Sequence, residues 1–301
     1  MKQKLIFIRF IHLILFCAVL NIHAQNKIDE KLNIVVIGAH PDDCDIKMGG
    51  TAILFAQMGH NVKFISVTNG DAGHFEKGGG ALAKIRRNEA LEAGKRFGIK
   101  EYIVLDNHDA ELFPTLNIRH QLIREIRSFN ADIVVSHRPV DYHPDHRYTG
   151  ILVQDSAYLV IVPNVVSDTP PLKTNPVFLY LQDNFKKPYP FQPDIAVDIT
   201  AVFEKKIKGL DAHKSQFYEW LPWTSGDYEK VPESEADRLD FLSKVRGGKI
   251  TSSIRASLIK WYGEKKGNSV KYAEAFEICE YGKQPTEEEI LALFPMLNPK
   301  E

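Results

Sequence analysis

Histidines and carboxylates gather at two places in this sequence, His40-Pro41-Asp42-Asp43 and His143-Pro144-Asp145-His146. Each follows a β-branched, apolar run, 34–39 before the first and 133–136 before the second. Imidazoles and carboxylates packed this closely at the ends of two buried strands suit one divalent metal with an adjacent base. That is the equipment for splitting an amide or ester with activated water. His40 and Asp43 stand three apart on a turn stiffened by Pro41, so a nitrogen and an oxygen can converge on one ion at ~2.0–2.2 Å, as zinc prefers. His146 supplies a third ligand and leaves a position for water, as in catalytic zinc sites. The competing readings are a turn held by Asp side chains for the first cluster and a solvated loop for the second.

The elements that must position these residues alternate regularly. Residues 32–39 are almost uniformly apolar, as in a central parallel strand buried on both faces. Further strands are expected at 61–68, 102–105, 133–136, 177–181 and 195–199. Helices are expected at 50–58, ending at Gly59, at 81–97, ending at Gly98, and at 147–161. The clearest helical period is Ile118, Leu122, Ile123, Ile126 and Phe129. Repeated strand–helix units predict an α/β fold, a Rossmann-like open, mostly parallel sheet with helices on both faces and a C-terminal cap or extension.

Beyond residue 200 the pattern changes. Residues 201–217 read as a helix, and 218–250, aromatic and charged, as a cap or loop. Thr286 with Glu289 forms a capping box for a final helix. The organisation expected is a signal peptide at 1–24 and one domain at 25–301, with the core sheet in 31–200 and the C-terminal helices and cap in 201–301. Lys2, Lys4 and Arg9 precede an apolar run at 13–20 and a small residue at Ala24, which fits a cleaved secretory leader. That run is shorter than the roughly 20 residues a membrane span needs, so no integral span is expected after cleavage, and the mature protein is expected to be secreted or periplasmic.

Removing the leader takes three positive charges and no negative one, so the net charge of −1 becomes −4. Nucleic acid, which requires a basic face, is not an expected partner. Cys44 and Cys279, the two remaining cysteines, make no disulfide framework.

Taken together, these residues resemble the zinc-dependent deacetylases of the LmbE/PIG-L type, which act on N-acetylglucosamine-containing substrates and related acylated sugars. The resemblance runs from residue 32 to about 280. It rests on Ala39-His40-Pro41-Asp42-Asp43 followed by Gly49-Gly50-Thr51, on Thr68-Asn69-Gly70-Asp71-Ala72-Gly73, on Arg86 with Glu89, on Asp141-Tyr142-His143-Pro144-Asp145-His146, and on Ala212-His213-Lys214-Ser215-Gln216. It implies that His40, Asp43 and His146 hold one Zn2+ per chain, with Fe2+ acceptable to the same N/O donors. Asp42, beside but off the metal, would be the general base. His143, held by Asp145 and raised in pKa by it, would stabilise the oxyanion or protonate the leaving amine.

Arg86, Asp71 and His213 are the expected substrate contacts. A solvent-facing helix arginine, a plain tight turn and a packed histidine are the respective alternatives. His74 and His108 read as surface residues. The family usually has a glutamate after the paired aspartates, where this chain has Cys44 and then Asp45. A thiol beside zinc would be an extra ligand or an oxidation-sensitive spot.

The function implied is hydrolytic removal of acetyl from an N-acetylated amino sugar, with a small molecule or a glycan as partner. Two alternatives stay open: deacylation of a different acyl amide, and a non-catalytic envelope protein that binds sugar. Tyr218, Trp220, Trp223 and Tyr228 suit a sugar ring, an acyl chain or simple cap packing.

Overall fold

In the computed structural model, which describes residues 31–297, the chain opens on β1 (Asn33–Gly38), whose last five residues are buried. The expected leader lies outside the described residues. Then α1 (Asp43–Gln57), β2 (Asn61–Thr68), α2 (Gly79–Phe97), β3 (Glu101–Asn107), α3 (Leu116–Ser128), β4 (Ile133–Ser136), α4 (Pro144–Leu159) and β5 (Val177–Leu181) alternate. They are followed by β6 (Ile195–Asp198), α5 (Phe203–Leu210), a π-helix (Ser215–Trp220), α6 (Leu221–Ser225), α7 (Glu235–Arg246), α8 (Ser252–Tyr262), α9 (Glu264–Ser269), β7 (Ala273–Gly282) and α10 (Glu287–Leu293).

The seven strands make one open sheet in the order β3-β2-β1-β4-β5-β7-β6. The first five are parallel, and β7 runs antiparallel between β5 and β6. From β1 the chain winds outward through β2 and β3, then crosses back to β4. The carboxyl ends of β1 and β4 therefore flank the point where the winding reverses, which is where open α/β sheets leave a crevice for ligands.

Side-chain alternation splits the core between the two faces. Val35 and Ile37 join Leu122, Ile126 and Leu152 under α3 and α4. On the other face Phe64 packs edge-on against Phe97 of α2, with ring centroids 6.3 Å apart.

The structure departs from expectation in three places. Helix α1 begins at Asp43, because Asp43 and Asp45 in its first turn complement the helix N-terminus. The Gly49-Gly50 pair, poor in helix propensity, hides this start. Gly50 is required by packing, since a Cβ there would meet Ile199 Cδ1 at 2.8 Å. The helix expected over 201–217 is divided into α5 and the π-helix, and the expected cap contains α7. Finally, β7 has no counterpart in the sequence pattern, because its buried faces include the charged Glu274 and Glu277. The capping box is present, with Thr286 Oγ1 accepting from Glu289 N at 3.2 Å and Glu289 Oε2 accepting from Thr286 N at 2.9 Å.

Candidate metal centre

The turn after β1 is fixed before any ligand is considered. Gly38 lets α1 fold back over the strand end, since a Cβ there would lie 2.7 Å from Asp43 Cβ. Thr68, at the end of β2, donates its backbone N–H and its hydroxyl to Ala39 O, each at 2.8 Å. Asp43 Oδ2 accepts the backbone N–H of His40 at 2.8 Å and of Ala39 at 3.0 Å. The second cluster forms the first turn of α4: His143 is the N-cap, Pro144 follows, and His146 completes the turn.

Three donor groups converge between these helix starts. His40 Nδ1 lies 3.1 Å from His146 Nε2 and 3.5 Å from Asp43 Oδ2, and His146 Nε2 lies 3.4 Å from Asp43 Oδ1. Donors ~2.1 Å from one ion at tetrahedral angles stand about 3.4 Å apart. The spacing suits a divalent cation, although His40 and His146 face different Asp43 oxygens. The donors that gather within 4.8 Å of one another include His40 with His143 and His146, and Asp43 with His137 and His146.

The outer nitrogens are held as metal-site histidines usually are, by carboxylates. His40 Nε2 faces Asp109 Oδ1 at 3.0 Å and Asp145 Oδ2 at 3.3 Å, and His146 Nδ1 faces Asp141 Oδ1 at 3.1 Å. Burial alone would lower the His40 pKa, but Asp109, Asp145 and Asp43 outweigh it and hold it well above the ordinary imidazole value. Burial likewise acts to raise Asp43, yet His146 and His137 keep it well below the usual carboxylate range. The pocket is thus arranged for positive charge.

Asp42 stands apart from this network. Only 3 % exposed, it makes no side-chain capping bond at the helix start it precedes. Burial, and then the neighbouring charge of Asp43, raise its pKa.

Two expectations about the second cluster need correction. The Asp145 carboxylate does not hold His143: it is fully buried, faces His40, and accepts the N–H groups of Ala110 at 2.7 Å and Leu112 at 3.3 Å. His143 Nδ1 instead accepts the Asp145 backbone N–H at 3.2 Å. Nor is His143 raised in pKa, because burial, then His40 and His146, push it down. An Nδ1 that accepts an N–H carries no proton, so His143 is a neutral ring whose Nε2–H is free to donate.

The expected substrate contacts lie at differing depths. Arg86 is 1 % exposed rather than solvent-facing, and its Nη2 donates to Gly73 O. Asp71 is occupied with its own loop, bonding His108 Nδ1 at 2.6 Å and accepting from Asp109 N at 3.0 Å. His213 is fully buried, with Nε2 2.9 Å from Asp45 Oδ1. Asp45 also accepts from Tyr102 Oη at 2.6 Å. His74 is buried against Glu219 at 2.7 Å rather than on the surface, whereas His108 is exposed.

Cys44 is not beside the donor set. One residue further round the helix than Asp43, its thiol enters the core and faces Val36 O at 3.5 Å and Ile65 O at 3.7 Å. No metal-binding group among the described residues includes it.

Three contributors had no role in the sequence reading: Asp109, His137, and Asp141, which it quoted only as part of the second motif. His137 Nε2 lies 3.2 Å from Asp43 Oδ2, and its ring stacks on His146 with centroids 4.3 Å apart. His137 directly follows β4, and His40 likewise comes within two residues of the end of its strand. Around the rim, Trp220, Trp223 and Phe75 stack in series at 5.4 and 5.3 Å.

The chain is similar to known deacetylases. The PIG-L family profile, described as GlcNAc-PI de-N-acetylase, matches residues 35–157. Diacetylchitobiose deacetylase of Thermococcus kodakarensis is 31% identical over 213 residues, 65% of this chain and 77% of the relative. A probable N-acetyl-alpha-D-glucosaminyl L-malate deacetylase 2 of Bacillus cereus is 26% identical, over 70% of this chain and 94% of its own. Among solved structures, N,N'-diacetylchitobiose deacetylase from Pyrococcus horikoshii superposes with a TM-score of 0.63 at 29% identity, covering 85% of this chain and 86% of that one.

Proposed function

The chain belongs to the PIG-L family of de-N-acetylases, and from that premise we propose that it hydrolyses the acetamide of an N-acetylated amino sugar, releasing acetate and the free amine. The observation that carries this reading is the placement of a buried carboxylate, Asp42, next in sequence to a three-donor cation site formed by His40, Asp43 and His146.

His40, Asp43 and His146 would hold a divalent ion, which would supply the Lewis acidity that polarises an amide carbonyl and acidifies water. Zinc suits the N/O donors, and Fe2+ is accepted by the same set. Asp42, raised in pKa and free of capping duty, takes the proton of the attacking water. His143 Nε2–H donates to the carbonyl oxygen as negative charge develops on it. Asp42 then returns its proton to the departing nitrogen as the C–N bond breaks. The neutral state of His143 favours oxyanion donation over protonation of the amine.

The substrate proposed is a small amino sugar or a glycan bearing one. The protein acts outside the cytoplasm if its leader is cleaved as the sequence suggests. Among the described residues no helix is long and apolar enough to cross a membrane.

Acetate release from N,N'-diacetylchitobiose by the zinc-loaded mature protein tests the proposal. Release that stops with a chelator and returns with zinc supports it. A metal-loaded protein that frees acetate from no N-acetyl sugar would sink it. A matched series of longer acyl amides separates deacetylation from the broader deacylase alternative.

A further inference from the structure

Strand β6 covers only part of β7. Their pairing runs from Asp198 opposite Ala273 to Ile195 opposite Phe276. From Glu277 onward this edge of β7 is met by the segment before β6 instead. Asp194 Oδ2 accepts the Ile278 N–H at 2.8 Å, and Glu277 Oε2 accepts the Gln192 N–H at 2.9 Å. On its other edge β7 pairs with β5, where Tyr180 stands opposite Glu277. A cavity of about 370 Å³ lies here, and its wall includes Tyr180, Tyr189, Tyr281, Asp194, Glu277 and Glu280. Ligand pockets run upward from roughly 300 Å³, so the space suits one small molecule.

This cavity is separate from the metal centre. Its wall takes in Gln154 of α4, eight residues beyond His146, which is about 12 Å along the helix at ~1.5 Å per residue. None of the proposed metal donors lines it, and neither Asp42 nor His143 does.

The chemistry of the wall is one-sided. Asp194, Glu277 and Glu280 line it, and no lysine or arginine does. Glu277 is only 8 % exposed, yet no hydrogen bond or ion pair among the described residues engages its Oε1. Arg138 does not satisfy it. That guanidinium grips Asp183 at 2.7 and 3.1 Å and stays 3.6 Å from Glu277 Oε2. Burial first, and then the charges of Asp194 and Asp183, raise the Glu277 pKa against the pull of Gln192 N–H and Arg138. A buried carboxylate with an open oxygen costs stability until a cation or donor completes it.

Tyr189 and Tyr281, 43 % and 52 % exposed, add aromatic surface to the same wall. Tyrosine faces attract ammonium groups, and carboxylates bind them in charge-assisted hydrogen bonds. A bare divalent ion, with oxygens at roughly 2.0–2.6 Å, would leave most of the volume unfilled. We propose that this cavity binds a small organic ammonium ion, its nitrogen held by Glu277 and Asp194 and its carbon frame by the tyrosines. A free amino sugar belongs to that class. Naming it as the occupant rests on the deacetylase reading, whose product it would be.

Calorimetric titration of the zinc-loaded protein with glucosamine and with glucose tests the site without turnover, at a pH where the amine is protonated. Glucosamine is expected to bind about tenfold tighter or more, as a charge-assisted hydrogen bond implies. Glu277→Gln keeps the shape, removes the charge and is expected to erase that advantage. His146→Ala disables the metal centre and is expected to leave glucosamine affinity unchanged. Equal binding of the two sugars overturns the proposal. So does glucosamine binding that persists in Glu277→Gln or vanishes in His146→Ala. Should Glu277→Gln not fold, Tyr281→Ala, at a half-exposed position, decides: severalfold weaker glucosamine binding upholds the site and unchanged binding rejects it. Failure of the deacetylase reading registers separately, as absence of acetate from every N-acetyl sugar.

Discussion

The Asp145 carboxylate serves His40, a residue from the other cluster, and not its sequence neighbour His143: Oδ2 lies 3.3 Å from His40 Nε2, while Ala110 N–H and Leu112 N–H bind the same carboxylate. This contact joins the loop after β3 to the proposed ligand after β1 through the first turn of α4. Removing it leaves His40 Nε2 held by Asp109 alone, at 3.0 Å. Asp145→Ala is therefore expected to weaken zinc binding about 10–100-fold, the usual effect of losing a carboxylate behind a ligand histidine. Titration against a competing chelator measures this, and unchanged affinity would refute the positioning role.

In the proposed mechanism Asp42 serves the chemistry and not the metal. Asp42→Asn keeps the volume and leaves His40, Asp43 and His146 in place, so zinc content should remain near one per chain. Turnover is expected to fall about 10²–10⁴-fold, the range for loss of a general base. Metal analysis and acetate release on the same sample check both halves, and wild-type rates in the variant would remove Asp42 from the mechanism.

His143 is expected to act as a neutral hydrogen-bond donor. His143→Ala should lower kcat by about 10²–10³-fold, as for loss of an oxyanion donor, with a smaller change in KM. Because its pKa is pushed down, activity should not increase as pH falls into the range where an ordinary histidine gains a proton. A rise in kcat over that range would show that the cationic form is the working one.

His213 gives stability a pH dependence. Burial acts to lower its pKa, but the Asp45 carboxylate 2.9 Å away outweighs this and leaves it raised. A pKa above the unfolded value of about 6.5 stabilises most below that pH, and the contribution disappears as pH rises through the folded-state pKa. The thermal midpoint of the wild type should therefore drop over this interval more than that of His213→Gln. Parallel curves in a melting series would contradict the assignment.

Gly150 connects packing to the metal centre. A Cβ there would meet His137 O at 2.8 Å and Arg138 O at 2.9 Å, so α4 approaches the β4 loop only because position 150 has no side chain. Gly150→Ala is expected to cost about 1–3 kcal/mol, the range for overpacking, and to weaken zinc binding by displacing His146. Denaturant unfolding and chelator competition report the two effects, and a neutral substitution would show that the approach is not needed.

Much of the frame was legible because it is local. The strands at 61–68, 133–136 and 177–181 coincide with β2, β4 and β5, since β-branched runs buried on both faces leave an unambiguous signature. The histidine clusters were visible for the same reason, each falling beside a strand end. What failed was non-local or depended on rotation around a helix. Asp109 reaches His40 from the loop after β3, with nothing in its own neighbourhood to mark it. Asp145 and His143 exchange their expected partners because the N-cap geometry turns the His143 ring toward the backbone. Cys44, read as a neighbour of the metal, points into the core once α1 starts at Asp43. Strand β7 escaped because Glu274 breaks its apolar pattern, a charge made tolerable by Lys206 at 2.8 Å and by the N–H groups of Gly50 and Thr51.

That last arrangement bears on the order in which the protein becomes competent. Glu274 accepts from Gly50 at 2.9 Å and Thr51 at 2.7 Å, while Lys206 holds Ile46 O at 2.8 Å, so the helix that presents Asp43 is clasped by a strand whose Glu274 lies 224 residues beyond Gly50 in the chain. A nascent chain has all the proposed ligands by His146 but acquires the clasp only with β7. Firm metal retention is thus expected only once β7 has been made, well after the last proposed ligand. A chain ending before Ala273 that held zinc as tightly as the full-length protein would overturn this ordering.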